Sequence, residues 1–522
     1  MPWRALAALA ALALTACSGP ATSTDPAPPD DGSAIHHPTT AEVPVEVDTG
    51  SAPGWSEESW APQPPDLLDG VTFRDEGTSG FVPTEATSRS TFALDVDNGS
   101  FRIASTLASS GYQIPPESIR AEEWINAFTY TDPSPVHSDL ALTTETALAP
   151  TLQDGTQVVR VGVTARTVAE PPPVNVSLVV DTSGSMDIRE RIGLVRQALT
   201  MMAEQLRPTD IISVVSFGSD AQVLLPPTPV AEREALLNTV ERLTTGGSTN
   251  LDAGLQLGYE QVQRAYLEEG TNVVVLCSDG VSNTGVTDLD ELLASVSENR
   301  QGGISLVTVG FGMGNYNDVL MEQLANRGNG FYRYVDSREE AHRTFVQELP
   351  SILAPVARDA RAQASFDPDL VREWRLIGYE NREMENEDFT DMSVEAGALG
   401  SGHRATALYE VRLTDGVPPG TQIGAVQVRW LTVPDEAEQM ETAGIYAAVN
   451  GQAPSSNLLL ATTVADTAQF LKGSVPMAHR NVTIQALAAR ADALAGSGNA
   501  EADRLIHLLS GATEYGAPHG KG

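Results

Sequence analysis

The fold is decided by the stretch Val174-Asn-Val-Ser-Leu-Val-Val-Asp181-Thr-Ser183-Gly-Ser185-Met186. An apolar, β-branched run that stops at an acid, a glycine and two serines is typical of a buried strand that carries polar oxygens to a sheet edge. A helix-forming stretch, residues 189–206, follows directly. Because ligands of open α/β sheets bind at the carboxyl ends of strands, Asp181, Ser183 and Ser185 lie where a functional site is expected. Their hard oxygen donors suit Mg²⁺ or Mn²⁺ better than a softer metal.

Apolar runs alternate with helical stretches after Pro171-Pro-Pro173, which marks a domain junction. This alternation predicts an α/β domain over residues 171–352, with a mostly parallel, Rossmann-like sheet and helices on both of its faces. One short run ends at Pro226-Pro227 and is typical of an edge strand. Strands are predicted over residues 174–180, 211–217, 221–225, 272–278, 304–311 and 330–335, and helices over 189–206, 231–243, 251–267, 289–300 and 338–349.

Two later segments also place hydroxyl or carboxylate side chains beside glycine, as residues 181–185 do. Gly246-Gly-Ser-Thr249-Asn precedes a predicted helix, and Leu276-Cys-Ser-Asp279-Gly ends a predicted strand. In this chain order the three segments resemble the motifs of the von Willebrand factor type A (VWA) domain family, over roughly residues 174–349. The resemblance implies a metal-ion-dependent adhesion site (MIDAS), whose open coordination position accepts an acidic side chain of a partner protein. The metal ligands that it implies are Asp181, Ser183, Ser185, Thr249 and Asp279.

The chemistry of these residue types agrees with the resemblance. Mg²⁺ binds six oxygens in near-octahedral order and readily keeps water. Ser183, Ser185 and Thr249 offer three neutral hydroxyls. Asp181 and Asp279 offer two carboxylates, which hold the ion directly or through water. Only two carboxylates around a divalent cation leave it electrophilic enough to attract a third.

Simpler uses of the same residues remain open. Asp181 can cap the helix that follows it, and Thr249 with Asn250 can cap the next one. Asp279, which precedes a glycine, can form a turn. Ser278 is expected to support a neighbouring ligand rather than to bind the metal itself.

The segments on either side of the α/β domain have a different pattern. Residues 143–148 and 157–168 alternate apolar and polar side chains, as half-buried antiparallel strands do. A β-rich region follows the domain over residues 353–455, with strands predicted at 362–366, 373–377, 406–413 and 425–433. If the strands on the two sides share a sheet, the α/β domain is an insertion into a β-rich one. Residues 456–516 are rich in Ala and Leu and are predicted to be helical, with breaks at Pro476 and Gly496.

The N-terminal flank is assigned to residues 81–170. A strand is predicted over residues 91–97, a helix over 101–109 capped by Asn98 or Ser100, and a helix from Pro115 to Phe128. Residues 90–130, 375–382 and 400–409 resemble the flanks of a bacterial envelope VWA lipoprotein subfamily. That resemblance implies a protein of the cell envelope.

The first residues have the features of an export signal. Arg4 precedes an apolar run, residues 5–14, that is too short to span a bilayer. Leu14-Thr-Ala-Cys17 resembles the bacterial lipobox, which implies a signal peptide over residues 1–17 and attachment of acyl chains such as palmitate to Cys17. We therefore expect a lipid-anchored protein, and Ser18 favours the outer membrane, on its periplasmic side, if the source has two membranes. Residues 18–80 are rich in Pro, Ser, Thr, Asp and Gly and are predicted to form a disordered tether.

Composition excludes several classes of function. The 522 residues include 32 Lys and Arg against 69 Asp and Glu, a formal charge of -37. Nucleic acid is therefore not expected as a partner, because its phosphates require clustered cationic side chains. The two cysteines, Cys17 and Cys277, cannot build a disulfide framework or a Cys-based zinc site. Cys277 lies in an apolar run and is expected to be buried.

The sequence thus predicts a protein-binding module that is not an enzyme. No Gly-x-Ser-x-Gly elbow, recognisable His triad or phosphate-binding loop occurs, so no small-molecule substrate is expected. One rival is a structural role in which the metal only stabilises the loops. Another is a phosphate-ester hydrolase, because Asp95-Val-Asp97 after an apolar strand resembles the nucleophile loop of haloacid-dehalogenase-type phosphatases. Gly99 stands where that loop has Thr or Val.

Overall fold

The structure is a computed structural model that describes residues 73–94, 97–150, 154–279, 284–285, 288–312, 317–392, 394, 396–433, 435–478, 480 and 482–514. All of them belong to one compact unit, Trp60–Gly522. The predictions for the signal peptide, Cys17, Asp95 and most of the tether lie outside the described residues. Within the ranges just given, no helix is both long and apolar enough to cross a membrane.

Strands and helices are numbered in chain order. The strands are β1 (Val82–Pro83), β2 (Arg89–Ala93), β3 (Leu140–Leu148), β4 (Gln157–Ala165), β5 (Val174–Asp181), β6 (Ile211–Phe217), β7 (Ala221–Pro229), β8 (Thr271–Ser278), β9 (Ile304–Phe311), β10 (Tyr332–Val335), β11 (Pro355–Phe366), β12 (Val371–Ile377), β13 (Glu383–Met384), β14 (Gly397–Gly400), β15 (Arg404–Leu413), β16 (Gln422–Thr432) and β17 (Glu438–Tyr446). The helices are α1 (Gly99–Ser109), α2 (Ala121–Asn126), α3 (Arg191–Gln205), α4 (Arg233–Glu241), α5 (Leu251–Arg264), α6 (Leu289–Gln301), α7 (Asp318–Arg327), α8 (Arg338–His342), α9 (Leu349–Leu353), α10 (Ser456–Lys472), α11 (Val475–Ala478), α12 (Ile484–Gly496) and α13 (Ala502–Glu514).

A six-stranded sheet in the order β10-β9-β8-β5-β6-β7 forms the centre of the α/β domain. Its first five strands run parallel, and β7 is an antiparallel edge strand. Every residue of β5 is buried, because helices cover both faces of the sheet. Leu178 packs towards α3, whereas Val179 packs towards α5 on the opposite face. Burial on both faces explains the uninterrupted apolar run, and the predicted mostly parallel α/β fold is confirmed.

The flanking strands form two antiparallel sheets. One has the order β1-β12-β15-β4-β3, and the other has the order β13-β2-β11-β16-β17, with β14 also paired to β11. Phe366, Trp374 and Tyr409 make ring contacts between the two sheets. Strand β4, which precedes the α/β domain, pairs with β15, which follows it. The shared sheet that the sequence left open is therefore present, and the α/β domain is inserted into a β-sandwich.

The C-terminal helices pack on the helices of the N-terminal flank. Helices α10, α12 and α13 share an apolar core with α1 and α2. Trp124 of α2 is fully buried in this core and meets the ring of Phe101 edge-on. Segments from the two ends of the described chain therefore stabilise each other.

Several predicted boundaries are wrong. The helix predicted from Pro115 to Phe128 is a 3₁₀ turn followed by α2, because Ile119 and Arg120 between them are extended. Gly473, in a left-handed conformation, ends α10 ahead of the predicted break at Pro476. Asn98 precedes α1 without a side-chain capping bond.

Other corrections concern segments with weak patterns. Residues 73–80 fall within the predicted tether, yet Phe73 packs against the core of the α/β domain. The edge strand β7 continues through its prolines to Pro229 instead of ending at Leu225. Helix α7 and strand β17 are not predicted from the sequence; most side chains of β17 are exposed or half-exposed, so it lacks the alternation that indicates a strand.

Candidate metal site

Three loops meet at the carboxyl edge of the central sheet. The loop after β5 and the glycine loop before α5 are joined by two backbone hydrogen bonds. The Gly184 N–H donates to the Gly247 carbonyl over 3.1 Å, and the Gly246 N–H donates to the Thr182 carbonyl over 2.7 Å. The third loop follows β8, which lies beside β5 in the sheet. Parallel pairing of the strands thus brings together loops that are far apart in the sequence.

Asp181 is the most constrained side chain of the first loop. It is fully buried, and its Oδ1 accepts a hydrogen bond from the Ser183 N–H over 2.8 Å. Its Oδ2 accepts a second one from the Ser278 hydroxyl over 2.6 Å. The Ser183 and Ser185 hydroxyl oxygens are 3.0 Å apart. Ser278 therefore has the supporting contact that the sequence predicted for it.

The second carboxylate belongs to Asp279, which is also fully buried. Burial raises the pKa of Asp181 to about 6, and the negative charge of Asp279 acts in the same direction. Two buried carboxylates that repel each other are costly unless a cation offsets their charge. Hydroxyl and carboxylate oxygens are the ligands that Mg²⁺ and Mn²⁺ prefer. The residues present thus fit a small, hard divalent cation.

The glycine loop requires backbone conformations that other residues rarely adopt. Gly246 and Gly247 have φ angles of +155° and +86°, and a Cβ on Gly247 would lie 2.6 Å from the Ser219 hydroxyl. Thr249 follows in this loop and is buried. Asn250, not Thr249, caps α5, because its Oδ1 accepts from the Ala253 N–H over 3.2 Å. Capping therefore does not require the Thr249 side chain.

Arg191 is a member of this cluster that sequence reasoning missed. It is the first residue of α3, it is buried, and its Nη1 lies 2.8 Å from the Asp279 Oδ2. The same nitrogen donates to the Ser185 carbonyl over 3.3 Å. A Cβ on Gly312 would lie 2.7 Å from the Arg191 Nε, so the guanidinium is closely surrounded. No local sequence signal marks this arginine, because Asp279, the acid with which it pairs, lies 88 residues away in the chain.

Replacement of Arg191 by methionine is expected to raise the affinity for Mg²⁺ about tenfold or more, because a buried positive charge beside the ion is removed. Isothermal titration calorimetry with MgCl₂ measures this change. Arg191→Lys keeps the charge and serves as the matched control, with an affinity near that of the wild type. A lower affinity in Arg191→Met than in Arg191→Lys would show instead that the guanidinium chiefly orients Asp279.

Asp97, a residue of the hydrolase alternative, lies in a different environment. It is buried, and its Oδ2 accepts from Arg382 Nη2 over 2.7 Å. Its Oδ1 accepts from the Tyr332 N–H over 3.1 Å. These bonds join the flank to β10, which gives Asp97 a structural role. Within the described residues, no group of three or more His, Cys, Asp or Glu side chains could hold a metal, so the candidate metal site depends on hydroxyl oxygens.

His403 and Cys277 are also structural. His403 is buried, its Nδ1 accepts from the Gly400 N–H over 3.1 Å, and burial, followed by the charge of Arg333, lowers its pKa well below the usual value. Cys277 lies in β8, is fully buried and is a free thiol, as expected. Burial raises the pKa of this thiol far above its usual range.

Comparison with known proteins agrees with this architecture. Residues 175–348 match the family model "von Willebrand factor type A domain", residues 69–160 match "von Willebrand factor", and residues 351–514 match "Uncharacterized protein YfbK, C-terminal". The Escherichia coli (strain K12) protein named "Uncharacterized protein YfbK" is 31% identical over 455 residues, which cover 81% of this chain and 78% of that protein.

Two further comparisons match part of the chain. Inter-alpha-trypsin inhibitor heavy chain H1 of Sus scrofa is 29% identical over 208 residues, or 38% of this chain and 22% of that protein. A solved structure of a von Willebrand factor type A protein from Catenulispora acidiphila is 16% identical with a TM-score of 0.43, and the match covers 74% of this chain and 89% of that one. The YfbK match extends over the α/β domain and both flanks. The chain therefore belongs to the family of VWA-domain proteins that includes YfbK of E. coli.

Proposed function

We propose that this chain is a metal-ion-dependent protein-binding module of the bacterial cell envelope. The site takes Mg²⁺ or Mn²⁺, and an acidic side chain of a partner protein fills the open position of the ion. The observation that carries this proposal is the pair of fully buried carboxylates, Asp181 and Asp279, beside the adjoining hydroxyls of Ser183 and Ser185. Catalysis is not part of the proposal.

Each residue has a defined part in this function. The carboxylates of Asp181 and Asp279 offset the charge of the ion, and Ser183, Ser185 and Thr249 add neutral oxygens. Bound Mg²⁺ supplies an electrophilic position that a carboxylate from another protein can occupy. Ser278 holds the Asp181 carboxylate in place through its 2.6 Å hydrogen bond.

Arg191 changes the charge balance in favour of an acidic partner. The two carboxylates and the guanidinium together carry one negative charge, which a divalent cation converts to one positive charge. A site of net positive charge attracts a further carboxylate. The whole chain carries a formal charge of -37 and repels acidic proteins at long range. Because the Debye length is about 8 Å at physiological salt, a partner that is locally basic around one carboxylate fits best.

Attachment to the membrane through lipid on Cys17 completes the proposal. The lipobox-like Leu14-Thr-Ala-Cys17 supports it, since several acyl chains on one residue anchor a protein stably. Cys17→Ser is expected to abolish incorporation of labelled palmitate and to release the chain from the membrane fraction. Cys277→Ser, which replaces the buried thiol, is the matched control. Equal labelling of Cys17→Ser and the wild type would contradict the anchor.

Partner capture tests the binding function directly. Envelope extract is passed over the intact immobilised chain in Mg²⁺, and bound proteins are quantified by mass spectrometry. Ser183→Ala and chelation are both expected to remove the same captured protein, because each disrupts the ion. Ser109→Ala, an exposed serine at the end of α1, is the control and keeps full capture. Capture that survives both treatments, with only a lower melting temperature, would favour the purely structural role.

A further inference from the structure

The backbone of Asp279 is held by a different helix from its side chain. The carboxylate pairs with Arg191 of α3, whereas the carbonyl accepts a hydrogen bond from the Asn317 N–H over 3.2 Å. Asn317 also caps α7, because its Oδ1 accepts from the Leu320 N–H over 3.1 Å. The start of α7, the helix that connects β9 to β10, is therefore tied directly to a residue of the candidate metal site.

Glu322, in the middle of α7, is bound by residues of both flanks. It is only 7% exposed. Its Oε1 accepts from the Arg382 Nη2 over 2.8 Å and from the Asn381 Nδ2 over 2.9 Å. Its Oε2 lies 3.7 Å from the Arg120 Nη2. Arg120 precedes the α/β domain in the chain and Arg382 follows it, so the two flanks clamp α7 together.

These charged contacts define the position of α7 more sharply than its other contacts do. Met321 and Leu324 are fully buried against the sheet, but apolar contacts have no preferred direction. The Thr308 hydroxyl of β9 donates to the Met321 carbonyl over 2.8 Å, which is a neutral hydrogen bond. Hydrogen bonds between charged groups are roughly twice as strong. The flanks therefore contribute to where the first turn of α7, and with it the Asp279 carbonyl, comes to lie.

We propose that Glu322 is a positioning residue of the metal site, through which both flanks hold Asp279 in place. This inference rests on the proposed function, in which Asp279 is one of the two carboxylates beside the ion. Loss of a contact that orients a metal ligand lowers metal affinity by about 10- to 100-fold. Insertion of the α/β domain between its flanks thereby acquires a part in metal binding.

Calorimetry of the full chain with MgCl₂ tests the proposal. Because Glu322 acts through a helix, Glu322→Gln is expected to weaken Mg²⁺ binding about tenfold, the lower end of that range. Arg382→Gln is expected to weaken it as well. The two substitutions change the net charge in opposite directions, so a purely long-range electrostatic effect would shift the affinity in opposite directions. Asn381 is exposed, so Asn381→Ala preserves the fold, and a smaller loss of affinity is expected.

Hydrogen exchange of the metal-free protein gives a second readout. The Asn317 amide, followed by mass spectrometry of the peptide that contains it, is expected to exchange faster in Glu322→Gln than in the wild type. The reason is that its bond to the Asp279 carbonyl opens more often when α7 is less firmly held. Glu410→Gln removes a buried charge of the same sign in the β-sandwich. This matched control is expected to keep both the wild-type affinity and the wild-type exchange.

The two readouts separate this inference from the proposed function. If the wild type binds no Mg²⁺, the proposed function fails, and the exchange of the Asn317 amide still decides the inference. The inference is overturned if Glu322→Gln leaves that exchange unchanged or binds Mg²⁺ as tightly as the wild type. It is also overturned if Arg382→Gln binds Mg²⁺ more tightly than the wild type, or if Glu410→Gln weakens Mg²⁺ binding as much as Glu322→Gln does.

Discussion

Asp181→Asn is expected to weaken Mg²⁺ binding about a hundredfold, or about 3 kcal/mol, and at the same time to stabilise the metal-free protein. The first effect follows because the substitution removes one of two carboxylates beside the ion. The second follows because the Asp181 carboxylate is buried near the negative charge of Asp279, whereas the guanidinium of Arg191 pairs with Asp279. The amide keeps the shape and can still accept from the Ser183 N–H.

The effect of Asp181→Asn on the stability of the metal-free protein depends on pH. The Asp181 pKa of about 6 in the folded protein is above the ordinary 3.8. The metal-free folded state therefore binds the proton more tightly than the unfolded chain, and stability falls as pH rises from about 4 to about 6. The difference between the two pKa values is equivalent to about 3 kcal/mol. The Asp181→Asn variant has no carboxylate to ionise at this position, so it does not lose this stability as the pH rises. The metal-free variant is therefore expected to be more stable than the metal-free wild type at pH 7 and equally stable near pH 4.

Two measurements check this prediction. Calorimetry with MgCl₂ gives the affinity, and urea unfolding in chelator at pH 4 and pH 7 gives the stability difference. Asp187→Asn, an exposed aspartate in the segment after the same loop, is expected to change neither quantity. Unaltered Mg²⁺ affinity in Asp181→Asn would remove the basis for the metal site.

Glu410→Ala is expected to lower the free energy of unfolding by about 3–5 kcal/mol, because it leaves two guanidinium groups buried without their shared carboxylate. Glu410 of β15 is buried, and its Oε2 lies 2.7 Å from the Arg375 Nε and 2.5 Å from the Arg480 Nη2. Arg480 belongs to the C-terminal helical region and Arg375 to β12. The substitution therefore weakens the junction between the helices and the β-sandwich.

Guanidinium chloride unfolding near pH 7 measures this effect. Although burial raises the pKa of Glu410, Arg375 and Arg480 lower it below its usual value overall. The Glu410 carboxylate therefore stabilises the fold fully at pH values above its pKa in the unfolded chain. This stabilisation is lost as the pH falls through its lower pKa in the folded protein. Glu373→Ala, which removes a more exposed pair with Arg412 in the same sheet, is the control and is expected to cost less than about 1 kcal/mol. Equal losses in both variants would contradict the special role of Glu410.

Local patterns predicted the α/β domain well. The strand beginning at Val174 is apolar throughout because both faces of the sheet are covered, and this signal is contained in the residues themselves. Asp181 and Asp279 each lie at the end of a predicted strand, which indicated that their loops would lie close together. In the structure, β5 and β8 are neighbours in the sheet. The metal itself and its partner remain proposals.

Segments whose burial depends on distant parts of the chain were harder to predict. Strand β17 is largely exposed and shows no period of two. Helix α7 is short and packs within the α/β domain, although its Glu322 also accepts a hydrogen bond from Arg382 of the flank. Arg191 carries no sequence feature that reveals its contact with Asp279, 88 residues away.

The sequence by itself determined the strand-loop-helix order, the polar residues at the sheet edge and the change of pattern at the domain junction, because each depends on neighbouring residues. Only the tertiary structure decided the pairing of β4 with β15 and the place of Arg191 beside the Asp279 carboxylate. The physical reason is that these features arise from burial and charge pairing between residues far apart in the chain, and no local periodicity encodes them.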